Sequence, residues 1–194
     1  MKKYLKPGVF ILSTIPFLLI LYKIFFDKLG PEPVKEITHF TGEWTLIFIC
    51  LTLSMSPLKK FTKLSVWISF RRMLGLFVFF YSTLHLLTYV GLDYRFNWSP
   101  ILDDVMKKKY IFIGFAAWLL MLPLAITSSQ RMVLLLKKNW KRLHRLIYII
   151  AVFGSLHYIW LSKTIFFKPL IYFIIIFVLL ALRIKIKNGK MNYG

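Results

Sequence analysis

One cysteine, Cys50, stands in the whole chain, so an internal disulfide is impossible and cysteine-based metal or redox motifs are excluded. Acidic residues are also scarce: seven against 27 lysines and arginines, a net charge of +20. None of the seven lies deep in an apolar block, which denies a proton relay its usual intramembrane carboxylates. No glycine-rich dinucleotide motif occurs. The longest stretches between apolar blocks, roughly 27–43 and 93–109, are too short for an independent soluble core. "LGPEPVKE" is a proline-punctuated turn region, not an interdomain linker. Any nicotinamide or flavin domain therefore has to be a separate protein. There is no internal repeat.

Apolar residues, by contrast, make up 58% of the 194 positions, with a mean hydropathy of +0.67. They come in long blocks, not at helical or strand period, which places the chain in the membrane class. The blocks lie near 9–26, 44–58, 73–92, 110–127, 146–162 and 169–184. A helix needs about 20 residues to cross the hydrocarbon core, and helices alone satisfy their backbone within one segment. Extending the second block to about 40 and the fifth to 143 gives six spans: 9–26, 40–58, 73–92, 110–127, 143–162 and 169–184. The expectation is an all-α, six-helix transmembrane bundle forming a single domain over residues 1–194. The block after "MKKYLKPG" is long enough to span and lacks a small-residue cleavage site, so it reads as a helix, not a signal peptide.

Charge sets the direction. With the N-terminus inside, inner segments hold most of the basic residues, among them Lys59, Lys60, Arg71, Arg72, Lys141 and Arg145. The acids Asp27, Glu32, Glu36, Glu43, Asp93, Asp103 and Asp104 all fall outside or at the outer edge. Both termini are then cytoplasmic, with the run "KKK" at 107–109 a local exception. Basic residues placed as membrane flanks argue against nucleic acid as a partner; lipid is the surrounding. Trp44, Trp67, Trp98, Trp140 and Trp160 read as interfacial anchors.

Ionisable groups inside a span are costly and mark ligands, relays or pathways. His85 lies 14 residues beyond Arg71, about 21 Å along a helix. His157 lies 13 residues beyond His144, about 20 Å. His85 and His157 thus share a depth in the outer half, while His144 sits at the inner rim with Arg71 and Arg72. Two facing helices with histidines at equal depth can clamp a flat metal macrocycle, and a b-type haem takes two such imidazoles. Leu74, Val78 and Tyr81 share His85's face, within about 40°. Ala151 and Ser155 share the face of His144, and Gly154 leaves room near His157 for a ring or for close helix packing. On a continuous helix His144 and His157 point about 140° apart, so both bind haem only on different sides or across a distortion. The competing role is a hydrogen bond between helices. Zinc is poorly served, with no deep carboxylate and a lone thiol. His39, in "ITHFTGEW", either touches a partner or quinone at the outer surface or caps a turn.

The segments "EPVKEITHFTGEW", "RRMLGLFVFFYSTLHLLTY", "AITSSQRM", "NWKRLHRLIYI", "LHYIWLSK" and "PLIYFIIIFVLLALR", in this order, cover about Leu29 to Arg183. Together they resemble the haem-binding membrane subunit of the periplasmic protein-methionine-sulfoxide reductase system, in the ferric-reductase-like transmembrane superfamily. The resemblance implies an electron-transfer subunit of the bacterial inner membrane, not the catalytic subunit. Such a subunit passes electrons from the quinone pool or a cytosolic flavin reductase to a periplasmic molybdopterin partner that repairs oxidised methionines. It implies haem b, one or two, and in some members FMN. The family's outer haem ligands correspond to His85 and His157, and its inner histidine to His144. No histidine lies near Arg71, so an inner haem would lack a second histidine ligand. Arg71 and Arg72 suit haem propionates or a flavin phosphate, since guanidinium pairs with oxyanions through two bonds; ordinary positive-inside anchoring is their other role. The alternatives are a stand-alone ferric-reductase-like cytochrome and a non-redox transporter or scaffold.

Overall fold

A computed structural model describes residues 2–162 and 167–188. In chain order it contains α1 (Lys2–Phe25), α2 (Pro33–Thr62), α3 (Val66–Leu87) with a π-helical turn (Thr88–Asp93), and α4 (Trp98–Lys107). Then follow α5 (Lys109–Ile126), α6 (Gln130–Leu143), α7 (Leu146–Leu161) and α8 (Phe167–Asn188). Among the described residues there is no strand.

By length and apolarity, Leu5–Phe25, Val66–Asp93 and Lys109–Ile126 can each cross a membrane. The pair α6–α7, bent by 48°, makes a fourth if taken as one span. The 30-residue α2 runs well beyond the expected 40–58. Its threonines and Glu43 lower its apolarity, and it can carry them because it is enclosed: Thr41, Thr45 and Thr52 are buried. Helices α4 and α6 occupy stretches expected to be loops. Helix α4 is strongly one-sided, with apolar and charged residues on opposite faces, the pattern of a helix lying in an interface; α6 mixes the same residue types but is kinked at Lys137, where φ is 47°.

The core sits where α2 packs against α3, flanked by α7 and α8. Phe48 on α2 stacks on Tyr81 of α3, centroids 5.1 Å apart, and both are essentially inaccessible. The Tyr81 hydroxyl donates to the carbonyl of Ser13 (2.8 Å) and accepts from the N–H of Phe17 (3.1 Å). These are the two ends of one turn of α1, so the phenol enters that helix's hydrogen-bond ladder and pins it to α3. The outward surface is apolar: Phe10, Ile11 and Leu12 on α1 and Ile174, Phe177 and Val178 on α8 are exposed, as lipid-facing residues are.

A second repair concerns Pro57 in α2, which has no N–H for the carbonyl of Leu53. Arg183 of α8 supplies the missing donor. Its Nη2 lies 2.8 Å and its Nε 3.2 Å from the Leu53 oxygen, and Nη2 also donates to Thr52 O (3.2 Å). Its Nη1 donates to the Tyr148 hydroxyl (3.1 Å).

Candidate functional site

His85 stands in the last turn of α3, and His157 lies one turn before the end of α7. Their rings are neighbours across the helix interface, centroids 6.0 Å apart and planes at 83°. Each ring is held from behind. His85 Nδ1 lies 2.9 Å from the carbonyl oxygen of Thr38 on α2, and His157 Nδ1 lies 2.7 Å from that of Tyr110 on α5. A carbonyl only accepts, so Nδ1 carries the proton in both rings. In the neutral form Nε2 then keeps its lone pair. The Thr88 hydroxyl donates to His85's own carbonyl (2.8 Å) and lies 3.1 Å from the Thr38 hydroxyl, tying α2 to α3 at this level. Two neutral imidazoles opposed in this way can ligate one metal ion between them. Among the described residues no group of three or more His, Cys, Asp or Glu could hold a bare ion. A metal at this place has to bring its remaining ligands with it.

The basic end of the bundle contains a cavity of about 200 Å³, lined by Thr52, Arg71, Arg72, Ser128, Trp140 and His144 among others. His144 is the residue at which α6 ends, and α7 begins only at Leu146. The continuous helix expected over 143–162 is therefore broken at its start. The calculated 140° between His144 and His157 does not apply across that break. The His144 ring stacks on Trp140, centroids 4.0 Å apart. Its Nε2 is 3.1 Å from the Thr127 hydroxyl, whose own proton goes to Pro123 O at 2.6 Å. His144 therefore donates from Nε2 and has its Nδ1 lone pair free, the opposite tautomer to the first pair.

Arg71 is half-buried beside Tyr148 and Arg183, and exposed Arg72 donates to Gln130 Oε1 at 2.9 Å. All seven acidic side chains belong to the opposite end of the bundle, so this cluster of guanidinium groups faces no carboxylate. The buried Thr52 hydroxyl has no hydrogen-bond partner, and Thr52 lines the same cavity. An anionic or hydrogen-bonding ligand would satisfy both.

At the acidic end, Asp104 on α4 accepts from Lys108 (2.7 Å) and Tyr94 (2.5 Å). Lys108, and then Tyr94, hold its carboxyl below the usual range. His39 is exposed on α2, next to the Thr38 that holds His85.

The structure thus brings together His85 and His157, and separately His144, Arg71 and Arg72; His39 joins neither group. Sequence reasoning missed Trp140, expected only as an anchor, and the partners Thr127, Thr52 and Arg183. It also missed the carbonyls of Thr38 and Tyr110, since every residue carries one and none signals itself. Gly154, whose added Cβ would meet Leu46 at 3.5 Å and Ile49 at 3.7 Å on α2, serves helix packing.

An apolar-surfaced helical bundle with opposed imidazoles between its helices defines a multi-pass membrane protein with a candidate metal-cofactor site. The model of the family "Ferric reductase like transmembrane component" matches residues 41–155. A relative from Xanthomonas oryzae pv. oryzae (strain MAFF 311018) is 50% identical over 157 residues, 81% of this chain and 72% of its own. One from Xanthomonas campestris pv. campestris (strain B100) is 48% identical over 158 residues, with the same coverage of each chain. One from Herminiimonas arsenicoxydans is 43% identical over 183 residues, 93% of this chain and 84% of its own. Each is named protein-methionine-sulfoxide reductase heme-binding subunit MsrQ. No solved structure matches. The chain belongs to the MsrQ family of heme-binding subunits, within the ferric-reductase-like transmembrane superfamily.

Proposed function

We propose that this chain is a transmembrane b-type cytochrome of the bacterial inner membrane. In this reading it is one domain of six spans with both termini cytoplasmic, and it delivers electrons to a periplasmic molybdopterin-dependent methionine-sulfoxide reductase. The observation that carries the reading is the opposed pair His85 and His157. A metal–imidazole bond is about 2 Å and a ring centre lies about 1 Å behind its nitrogen, so one ion between two imidazoles puts their centres about 6 Å apart. The observed 6.0 Å fits, and so does the tautomer, with Nδ1 bonded behind and Nε2 free. Among the described residues no third protein ligand joins them, which fits a macrocycle that brings its own donors.

A bound haem supplies one-electron carriage between ferric and ferrous iron. His85 and His157 would hold it from two helices, α3 and α7. Thr38 and Tyr110 orient the two rings through their carbonyls and make the imidazoles more basic. The apolar helices around them keep water from this level of the membrane. At the opposite end His144, with its free Nδ1, and Arg71 and Arg72 form a second site on the cytoplasmic side. The arginines suit propionates or a flavin phosphate, and Thr52 offers a further hydrogen bond. These residues would hold a second haem or FMN there, within reach of an electron donor of the cytoplasmic side, quinol or a cytosolic flavin reductase. His39 and the acidic loops lie where the periplasmic partner would dock.

A pyridine haemochrome assay normalised to protein, with flavin fluorescence on the same sample, tests this. Purified protein from haem-replete cells is expected to carry at least one haem b per chain. A colourless preparation would point to the non-redox alternative, a transporter or scaffold.

A further inference from the structure

The two opposed imidazoles are seated by the same local device on two different helices. His85 reaches the carbonyl of Thr38, and the residue four positions on is Gly42. His157 reaches the carbonyl of Tyr110, and the residue four positions on is Gly114. In a helix the carbonyl of residue i bonds the N–H of residue i+4. The side chain of residue i+4 leans back over the turn beneath it and covers that carbonyl. A flat ring that approaches the carbonyl from the side of residue i+4 needs the space that this side chain would take.

The room left at these two positions matches the rings. A Cβ on Gly42 would lie 3.1 Å from both Cε1 and Nδ1 of His85. On Gly114 it would lie 2.7 Å from Nδ1 and 2.9 Å from Cε1 of His157. The requirement is local: a Cβ on Gly75 meets nothing within 4 Å, and one on Gly154 makes ordinary contacts. Glycine leaves the space at both positions, and the imidazole is the group found in it.

We propose that Gly42 and Gly114 are positioning residues for the two imidazoles. Each is a window in a helix surface that admits an Nδ1–H to the carbonyl one turn back. The window fixes the tautomer, the rotation of each ring and the strength of the rear hydrogen bond. It follows that these glycines tune the site electronically as well as sterically. A rear hydrogen bond makes the imidazole a stronger donor and favours the ferric state; lengthening that bond raises the reduction potential. The inference rests on His85 and His157 being an axial pair.

The test uses the full chain purified with its haem, as Gly114→Ala, Gly42→Ala, Gly154→Ala and His157→Ala. Redox titration and low-temperature electron paramagnetic resonance are read beside haem content and helical circular dichroism. Gly114→Ala is expected to raise the midpoint potential and change the low-spin ferric signal. Gly42→Ala should move both in the same direction by less, because its contacts are 3.1 Å, not 2.7 Å. Gly154→Ala should match the parent. If Gly114→Ala does not accumulate as folded protein, Gly42→Ala decides. Parental potential and signal in the folded glycine variants would overturn the inference while leaving the axial pair intact. A six-coordinate spectrum retained in His157→Ala would instead overturn the axial pair itself, and the inference with it.

Discussion

The His85 and His157 imidazoles lie with centroids 6.0 Å apart and planes at 83°. They come from helices that run separately through the bundle, and each is tethered by its Nδ1 to a further helix. Four helices therefore set one relationship. Nearly perpendicular axial imidazoles leave two iron d orbitals close in energy, which gives a strongly axial low-spin ferric signal. Electron paramagnetic resonance of the oxidised protein should show that signal; the rhombic signal of parallel imidazoles would contradict the ring orientation.

Arg183 replaces the donor that Pro57 cannot supply to Leu53. Arg183→Leu should leave that carbonyl unsatisfied at a cost of about 1.5–3 kcal/mol, the range for hydrogen bonds to a charged group. The measurement is thermal unfolding in detergent. Pro57→Ala restores the backbone N–H, so in that background the loss on removing Arg183 should shrink.

Thr52 carries a buried hydroxyl without a partner on the wall of the cavity near His144. Replacing an unsatisfied buried hydroxyl by an isosteric methyl relieves a desolvation cost of about 1 kcal/mol or more. Thr52→Val should therefore stabilise protein freed of cofactor, and lower the content of whichever cofactor occupies that cavity. Unchanged cofactor content would separate Thr52 from the ligand.

Arg71 and Arg72 differ in a way the sequence does not show. Arg71 is half-buried on the cavity; Arg72 is exposed and bonded to Gln130. If the cavity holds the proposed second cofactor, Arg71→Gln should reduce its occupancy several-fold, and Arg72→Gln by less. Equal effects would favour a general electrostatic role for both.

Asp104 is held below the ordinary carboxyl range by Lys108 and Tyr94. A lowered folded-state value means that the unfolded segment binds the proton more tightly. The contribution of this cluster is present above about pH 4, the ordinary carboxyl value, and is lost as pH falls through the folded value. Protection of the α4 amides, with the intrinsic pH dependence of exchange divided out, should fall on acidification through that window, and Asp104→Asn should abolish that fall.

Much of this was legible in the sequence because helix geometry is regular. A fixed rise per residue holds from Arg71 to His85, where α3 is unbroken, and the two rings expected at one level do lie together. The same reasoning failed at His144, where the helix ends and a corner begins. It also missed α4 and α6, whose alternating apolar and charged residues do not form apolar blocks. The enclosure of α2, which lets it carry threonines and Glu43, depends on its neighbours and so has no local signal. The carbonyls of Thr38 and Tyr110 were invisible for a plainer reason: their role comes from geometry, not from residue type.

The most direct measurement is the visible spectrum of His85→Ala and His157→Ala, each purified beside the parent protein. Loss of the six-coordinate Soret and reduced alpha bands in both is the expected result. A full six-coordinate b-type spectrum in both variants would contradict the assignment of these two side chains as the axial pair.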